Sequence, residues 1–208
     1  MSDNYFYPNW NVPNNIKSIQ TQRQPGSSSD CFSSFNLSYE VGDDPKSVSR
    51  NLITLNSYLP SKPYWLNQIH KNISIELPCD KSLLDADASF TMQKKIVCAV
   101  RTADCLPILL TNVNGDFVSA IHAGWRSLAS GIIEDTLNKV KSKSQIIAWL
   151  GPSISEDSYE VGGQLFDIFT QNDPDSKCGF KKLRTNKYLL DLPKIALAKL
   201  RKKGVTKL

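Results

Sequence analysis

The spacing of hydrophobic positions along this chain changes several times, and each change marks a predicted element. In "VGDDPKSVSRNLITLNSYL" (41–59), Val48, Leu52, Leu55 and Leu59 recur on one helical face. Asp44 stands ready to cap, Pro45 suits the first helical position, and the helix is predicted to end by Pro60. Four short apolar runs then predict strands: "YWLNQIH" (64–70), "ISIEL" (73–77), "KIVCAV" (95–100) and "LPILLTN" (106–112). His70 falls at or near the end of the first. "NVNGD" (112–116) carries an Asn-Gly turn signal and "FVSAIHA" (117–123) resumes as a strand, so adjacent strands are expected here. From Ser127 the period becomes helical: Leu128, Ile132, Ile133, Thr136, Leu137 and Val140 form one stripe, predicting a single amphipathic helix that starts just after Gly124. "IIAWLG" (146–151) reads as a strand, 161–170 as a helix, "KYLLDL" (187–192) as a strand, and 193–203 as a helix closed by Gly204. The final "VTKL" reads as the start of another strand.

This order, with hairpin-length links and neither repeat nor linker, predicts one mixed α/β domain spanning 1–208. The length of 208 residues and 40% apolar content suffice for one sizeable core. Residues 1–35 are rich in Asn, Ser, Gln and Pro, and "QPGSSSD" (24–30) reads as an exposed loop. The opening "MSDNYFYPNW" lacks the basic start and apolar run of an export signal, and no window approaches a membrane span, so a soluble cytoplasmic protein without membrane association is expected. Cys31, Cys79, Cys98, Cys105 and Cys178 are odd in number and contain no Cys-x-x-Cys pair, which fits a reducing compartment. From Lys177 onward eleven Lys or Arg face Asp191 alone, so within the net charge of +5 residues 1–176 carry −5. No aromatic or glycine-rich recognition motif is interleaved with those cations, so a solvated helix face is expected rather than a nucleic-acid-binding tail.

His70 and His122 are the only histidines. Both sit at predicted strand ends, and Cys105 follows Asp104 at the start of another strand, so the three could converge at one end of a sheet. Two imidazoles and a thiolate suit a three-ligand zinc site whose fourth position is open to water or substrate. Two other readings of the same residues stay open: Cys105 as a metal-free nucleophile with a histidine base, or histidines that are merely hydrogen-bonded structural residues. Nothing near Cys31, Cys79, Cys98 or Cys178 completes a site. After His122, Gly124 permits a tight turn, a new helix offers free amides and the positive end of its dipole, and Arg126 adds a fork of donors; together these suit an anion such as phosphate, unless Arg126 simply faces solvent. Trp125 could stack on a ring or fill the core.

The segments "FNLSYEVGDDP", "WLNQIH", "ADAS" (86–89), "TADCLPILL" (102–110), "HAGWRS" (122–127) and "AWLGPSISEDSYEVGG" (148–163) resemble, in this order, the purine nucleoside phosphorylase family formerly labelled multicopper polyphenol oxidases or laccase-domain proteins. That family also includes a bacterial peptidoglycan editing factor. The resemblance, from about Trp10 to Val205, implies a single domain of layered mixed sheets flanked by helices, of the cytotoxic-necrotizing-factor-like hydrolase type. It implies a zinc pocket with His70, Cys105 and His122 as ligands and catalytic residues. It further implies phosphorolysis of adenosine, inosine and methylthioadenosine to free base and a ribose 1-phosphate, with adenosine deamination. Arg126, and with it Arg23 and Asn36, would bind substrate, and Glu160 would either orient a residue behind the ligands or cap a helix.

The chain departs from the family pattern at Lys71 and Ser127, where glycine is usual, at Pro25-Gly26-Ser27-Ser28, and at Glu40, where histidine is frequent. After Val205 it lacks a few dozen residues of the family pattern, including a strand, so an exposed edge covered by a partner or by a second subunit in a homo-oligomer is expected. A multicopper oxidase needs a blue copper plus a trinuclear cluster and hence many imidazoles; two histidines, with Met1 and Met92 as the only methionines, point to zinc rather than copper. The alternatives are a copper-dependent polyphenol oxidase, a hydrolase acting on UDP-muramyl peptide precursors with Cys105 as nucleophile or ligand, and an inactive metal-binding module.

Overall fold

The computed structural model describes residues 4–80 and 84–208; Met1 to Asp3, part of the stretch read for an export signal, lie outside them. Its elements are β1 (Tyr5–Phe6), β2 (Gln20–Thr21), α1 (Pro45–Ser57), β3 (Ser74–Glu76), β4 (Ala88–Thr91), β5 (Leu106–Asn112), β6 (Val118–Ala123), α2 (Trp125–Ala129), α3 (Ile132–Val140), β7 (Ile146–Leu150), β8 (Glu160–Gly162), α4 (Gly163–Asn172), β9 (Phe180–Arg184), β10 (Lys187–Leu190) and α5 (Leu192–Lys202). They form a mixed α/β domain in which several sheets are flanked by helices. Among the described residues no helix is long and apolar enough to cross a membrane.

A five-stranded sheet of order β3-β4-β6-β5-β7 carries the centre; β3 runs parallel to β4 and the other neighbours are antiparallel. β5 sits between β6 and β7 and is buried along almost its whole length, which is why its sequence is a continuous apolar run. On one face of this sheet Leu106, Ile108, Leu110 and Ile121 meet Leu128, Ile132, Ile133 and Leu137 of α2 and α3 and Ile195 and Leu200 of α5. Phe169 of α4, 1% exposed, belongs to the same core. Phe169→Ala should lower stability by about 3–5 kcal/mol, since burial of the ring is lost and a cavity left; the urea unfolding midpoint checks this.

Helix α1 forms as expected: the Asp44 carboxylate accepts from the Lys46 and Ser47 amides, Pro45 opens the helix, and Val48 and Leu55 are buried. The predicted helix after Gly124 is instead two helices. Gly131, at φ +94°, breaks it, and the apolar stripe crosses the break because α2 and α3 pack on one core. Of the predicted strands 64–70 and 95–100, residues 64–69 and 96–100 are extended but join only through isolated bridges, Tyr64 to Cys98 and Asn67 to Asp85. Their apolar residues cover a second small core of Leu66, Leu77, Leu84 and Ala86 rather than entering a ladder. "VTKL" makes one bridge, with Lys207 beside Ile147 of β7.

Of the eleven cations from Lys177 onward, Arg184, Lys187, Lys199 and Lys202 pair with carboxylates and the other seven are exposed. Lys199, 5% exposed, joins Glu134 of α3 at 2.9 Å and Asp173 at 3.4 Å, and Lys202 pairs with Asp173 and Asp175. These pairs tie α5 to its neighbours.

Candidate metal centre

The register of β5 and β6 places Pro107 opposite His122 and Leu106 opposite Ala123, so Cys105, one residue before β5, lies at the sheet end where β6 delivers His122. His70 arrives from the extended segment 64–69. The Gln68 side-chain amide donates to the Arg101 carbonyl and accepts from the Arg101 amide, both at 2.8 Å, which ties the approach to His70 to the approach to Cys105. The consequence is a cluster in which the ligand atoms of His70, Cys105 and His122 all lie within 4.8 Å of one another. The two imidazoles meet edge to face, 4.9 Å between centroids.

Behind the cluster stands Asp87, fully buried and not anticipated as a site residue. Its Oδ1 accepts from the His70 amide at 3.0 Å and lies 2.9 Å from His122 Nδ1, its Oδ2 accepts from the Lys71 amide at 2.7 Å, and its carbonyl accepts from the His122 amide at 2.7 Å. Burial pushes the Asp87 carboxyl up, but the bonds from His122, Lys71 and His70 outweigh it and hold the group below its ordinary value. An ionised carboxylate only accepts, so His122 Nδ1 carries a proton and Nε2 is left for a metal, the orienting arrangement seen behind zinc-bound histidines. His70 takes a left-handed backbone, φ +56°, costly for a side chain with a Cβ, and the Asp87 bond to its amide is one contact that holds it there. The sequence offered a signal for Asp87: the second acid of "DADAS", flanked by alanines immediately before the buried strand "ASFT".

His70 is kept neutral, its pKa lowered by burial and by the neighbouring His122 charge. For His122 burial opposes the charged form, yet the bonds to Asp87 and Cys105 prevail and push it up to about 9. A metal entering at neutral pH therefore displaces a proton. Two imidazoles and a thiol are the donor chemistry of a borderline-soft metal such as zinc.

Gly124 packs directly on the cluster. A Cβ there would stand 2.9 Å from Cys105 Sγ, 3.4 Å from His70 Cδ2 and 3.5 Å from His122 Cε1. Gly124→Ala should therefore displace Cys105 Sγ and lower metal affinity by about tenfold or more while the far-ultraviolet dichroism stays that of the wild type; competitive chelator titration measures the loss.

Arg126 is exposed, stacked 4.3 Å from the Trp125 ring, and lines with His70 a surface recess of about 330 Å³. Helix α2 has only five residues and no side-chain cap, so the positive charge at this edge of the recess is that of Arg126 rather than of a helix dipole. Trp125 is half-buried against the main core. Arg23 donates from Nε to the Ser33 carbonyl, and Asn36 donates to the Ser38 carbonyl and to Asp43. These bonds lie within the N-terminal segment. Glu160 neither orients the cluster nor caps: it is exposed and paired with Arg184 and Lys187 at 3.1 Å each. Its neighbour Tyr159, half-buried, feels both Cys105 and Arg126, with burial and the Cys105 charge raising its pKa. Glu40 is taken by Arg101 at 2.8 Å.

The family described as multi-copper polyphenol oxidoreductase laccase matches residues 17–208. A purine nucleoside phosphorylase of Haemophilus influenzae is 40% identical over 206 residues, 97% of this chain and 84% of that one. The purine nucleoside phosphorylase YfiH of Escherichia coli is 37% identical over 202 residues, covering 95% and 83%. Among solved structures, the Neisseria meningitidis protein NMB0706 superposes with a TM-score of 0.89 at 37% identity over 98% of this chain and 85% of that chain.

Proposed function

We propose, from the premise that this chain belongs to the multi-copper polyphenol oxidoreductase laccase family, that it is a zinc-dependent purine nucleoside phosphorylase with His70, Cys105 and His122 as the zinc ligands. The reading is carried by one observation: the three donor groups converge, with Asp87 behind them, beside a recess that bears Arg126. The names of the relatives support the phosphorylase reaction. The oxidoreductase in the family's description fits this chain poorly, because two histidines cannot serve a blue copper and a trinuclear cluster together.

The substrates are adenosine, inosine and methylthioadenosine, cleaved by phosphate to the free base and a ribose 1-phosphate, and adenosine is also deaminated. Zinc at this position supplies Lewis acidity toward a phosphate or water oxygen. The chain's own groups do the rest. Asp87 keeps the His122 proton on Nδ1 and fixes the ring, Arg126 offsets the charge of an incoming anion, and Trp125 holds the Arg126 guanidinium against its face. Arg23 and Asn36 complete substrate binding from the N-terminal segment. Five unpaired cysteines suit a reducing compartment, the cytoplasm.

Chromatography of adenosine incubated with the zinc-loaded protein and phosphate tests the reading. Ribose 1-phosphate equal to adenine and hypoxanthine together, with no free base formed when phosphate is omitted, is the expected result. Release of serine from a UDP-muramyl peptide carrying serine in place of alanine, without adenine release, would overturn it in favour of precursor editing.

A further inference from the structure

We propose that the recess beside His70 is an oxyanion site in which the Lys71 ammonium and the Arg126 guanidinium hold a phosphate group between them. The inference rests on the phosphorylase reading only for what the anion is used for. Six polar or aromatic groups line the recess, His70, Lys71, Asn72, Trp125, Arg126 and Ser130, two apolar side chains complete it, and no carboxylate is among them. Its volume of about 330 Å³ lies within the range of small-ligand sites.

Arg101, Lys139, Arg184, Lys187, Lys199 and Lys202 each meet a carboxylate within 4 Å and so are not free for an anion. Among the described residues Lys71 and Arg126 meet none, although they share one recess. Both are anchored at their bases. The Lys71 amide is held at 2.7 Å by the same Asp87 that orients His122, and the Arg126 guanidinium lies 4.3 Å from the Trp125 ring. The main chain that carries the ammonium is thus fixed relative to the metal ligands. A planar fork and a point charge lining one open recess, with Asn72 also in its lining, suit a tetrahedral oxyanion. Lys71 adds a second positive charge to the recess and should strengthen its hold on phosphate.

The phosphate could be the free ion or belong to a phosphorylated nucleoside, and calorimetry with the zinc-loaded protein separates them. Inorganic phosphate should bind wild type about tenfold more tightly than Lys71→Met, with Lys71→Arg close to wild type and the salt dependence flatter in Lys71→Met. Competition by adenosine 5′-monophosphate that is lost in Lys71→Met assigns the site to a substrate-borne phosphate; its absence, with phosphate binding intact, assigns it to the free ion. Equal phosphate affinity in wild type and Lys71→Met overturns the oxyanion site even if purine is released. Phosphate bound in the Lys71-dependent way by a protein that never releases purine leaves the site standing and overturns the phosphorylase reading.

Discussion

Cys105→Ala is expected to lower phosphate-dependent purine release by about a thousandfold or more in kcat/KM, because it removes the one anionic donor from a three-donor centre. A catalytic metal supplies several kcal/mol of charge stabilisation, and about 4 kcal/mol corresponds to a factor of a thousand. The two remaining donors are imidazoles, neutral when they bind a metal, so the centre would lose both a ligand and its negative charge. Cys105 is half-buried and lies just ahead of β5, so its truncation should leave the fold standing. Steady-state kinetics with a urea unfolding curve on the same sample make the check. A stable protein with unimpaired turnover would remove Cys105 from the mechanism.

Asp87 should matter almost as much, and in two separable ways. In Asp87→Asn the side chain keeps its shape but loses its charge, the His122 tautomer is no longer fixed, and metal affinity should fall about tenfold to a hundredfold. Asp87→Ala strips an acceptor from the His70 and Lys71 amides and from His122 Nδ1 at once. Breaking a buried pair in this way should cost about 3–5 kcal/mol of stability. The pH dependence follows from the sign of the shift. Because the folded pKa of Asp87 lies below its ordinary value, its contribution is complete above the ordinary carboxylate pKa of about 4 and is lost as the pH falls through the folded value. The stability gap between metal-free wild type and Asp87→Asn should therefore close in acid, a trend that urea midpoints across pH would show.

The most legible parts of the sequence were those where local chemistry and burial agree. "DDPKSV" gave α1 because cap, proline and apolar face all sit in one turn, and "LPILLTN" gave β5 because a strand covered on both sides is apolar throughout. The segments "YWLNQIH" and "KIVCAV" misled because an extended chain laid over a small core has the same pattern as a strand in a sheet. β4 passed unnoticed since its buried positions include Ser89 and Thr91, and β9 because "FKKLR" is mostly solvent-facing. At the site the rarity of histidine singled out His70 and His122, and the motifs added Cys105. The role of Asp87, despite its place just before a buried strand, and the Gln68–Arg101 exchange were not legible, because each acts through hydrogen bonds across 16 to 35 residues that no local period records.

The most direct measurement is a titration of zinc into metal-free protein while adenine release from adenosine and phosphate is followed. The account predicts no release without metal, a linear rise that breaks at one zinc per chain, and no rise in Cys105→Ala. Full activity in the metal-free protein, or a break that survives in Cys105→Ala, would contradict it.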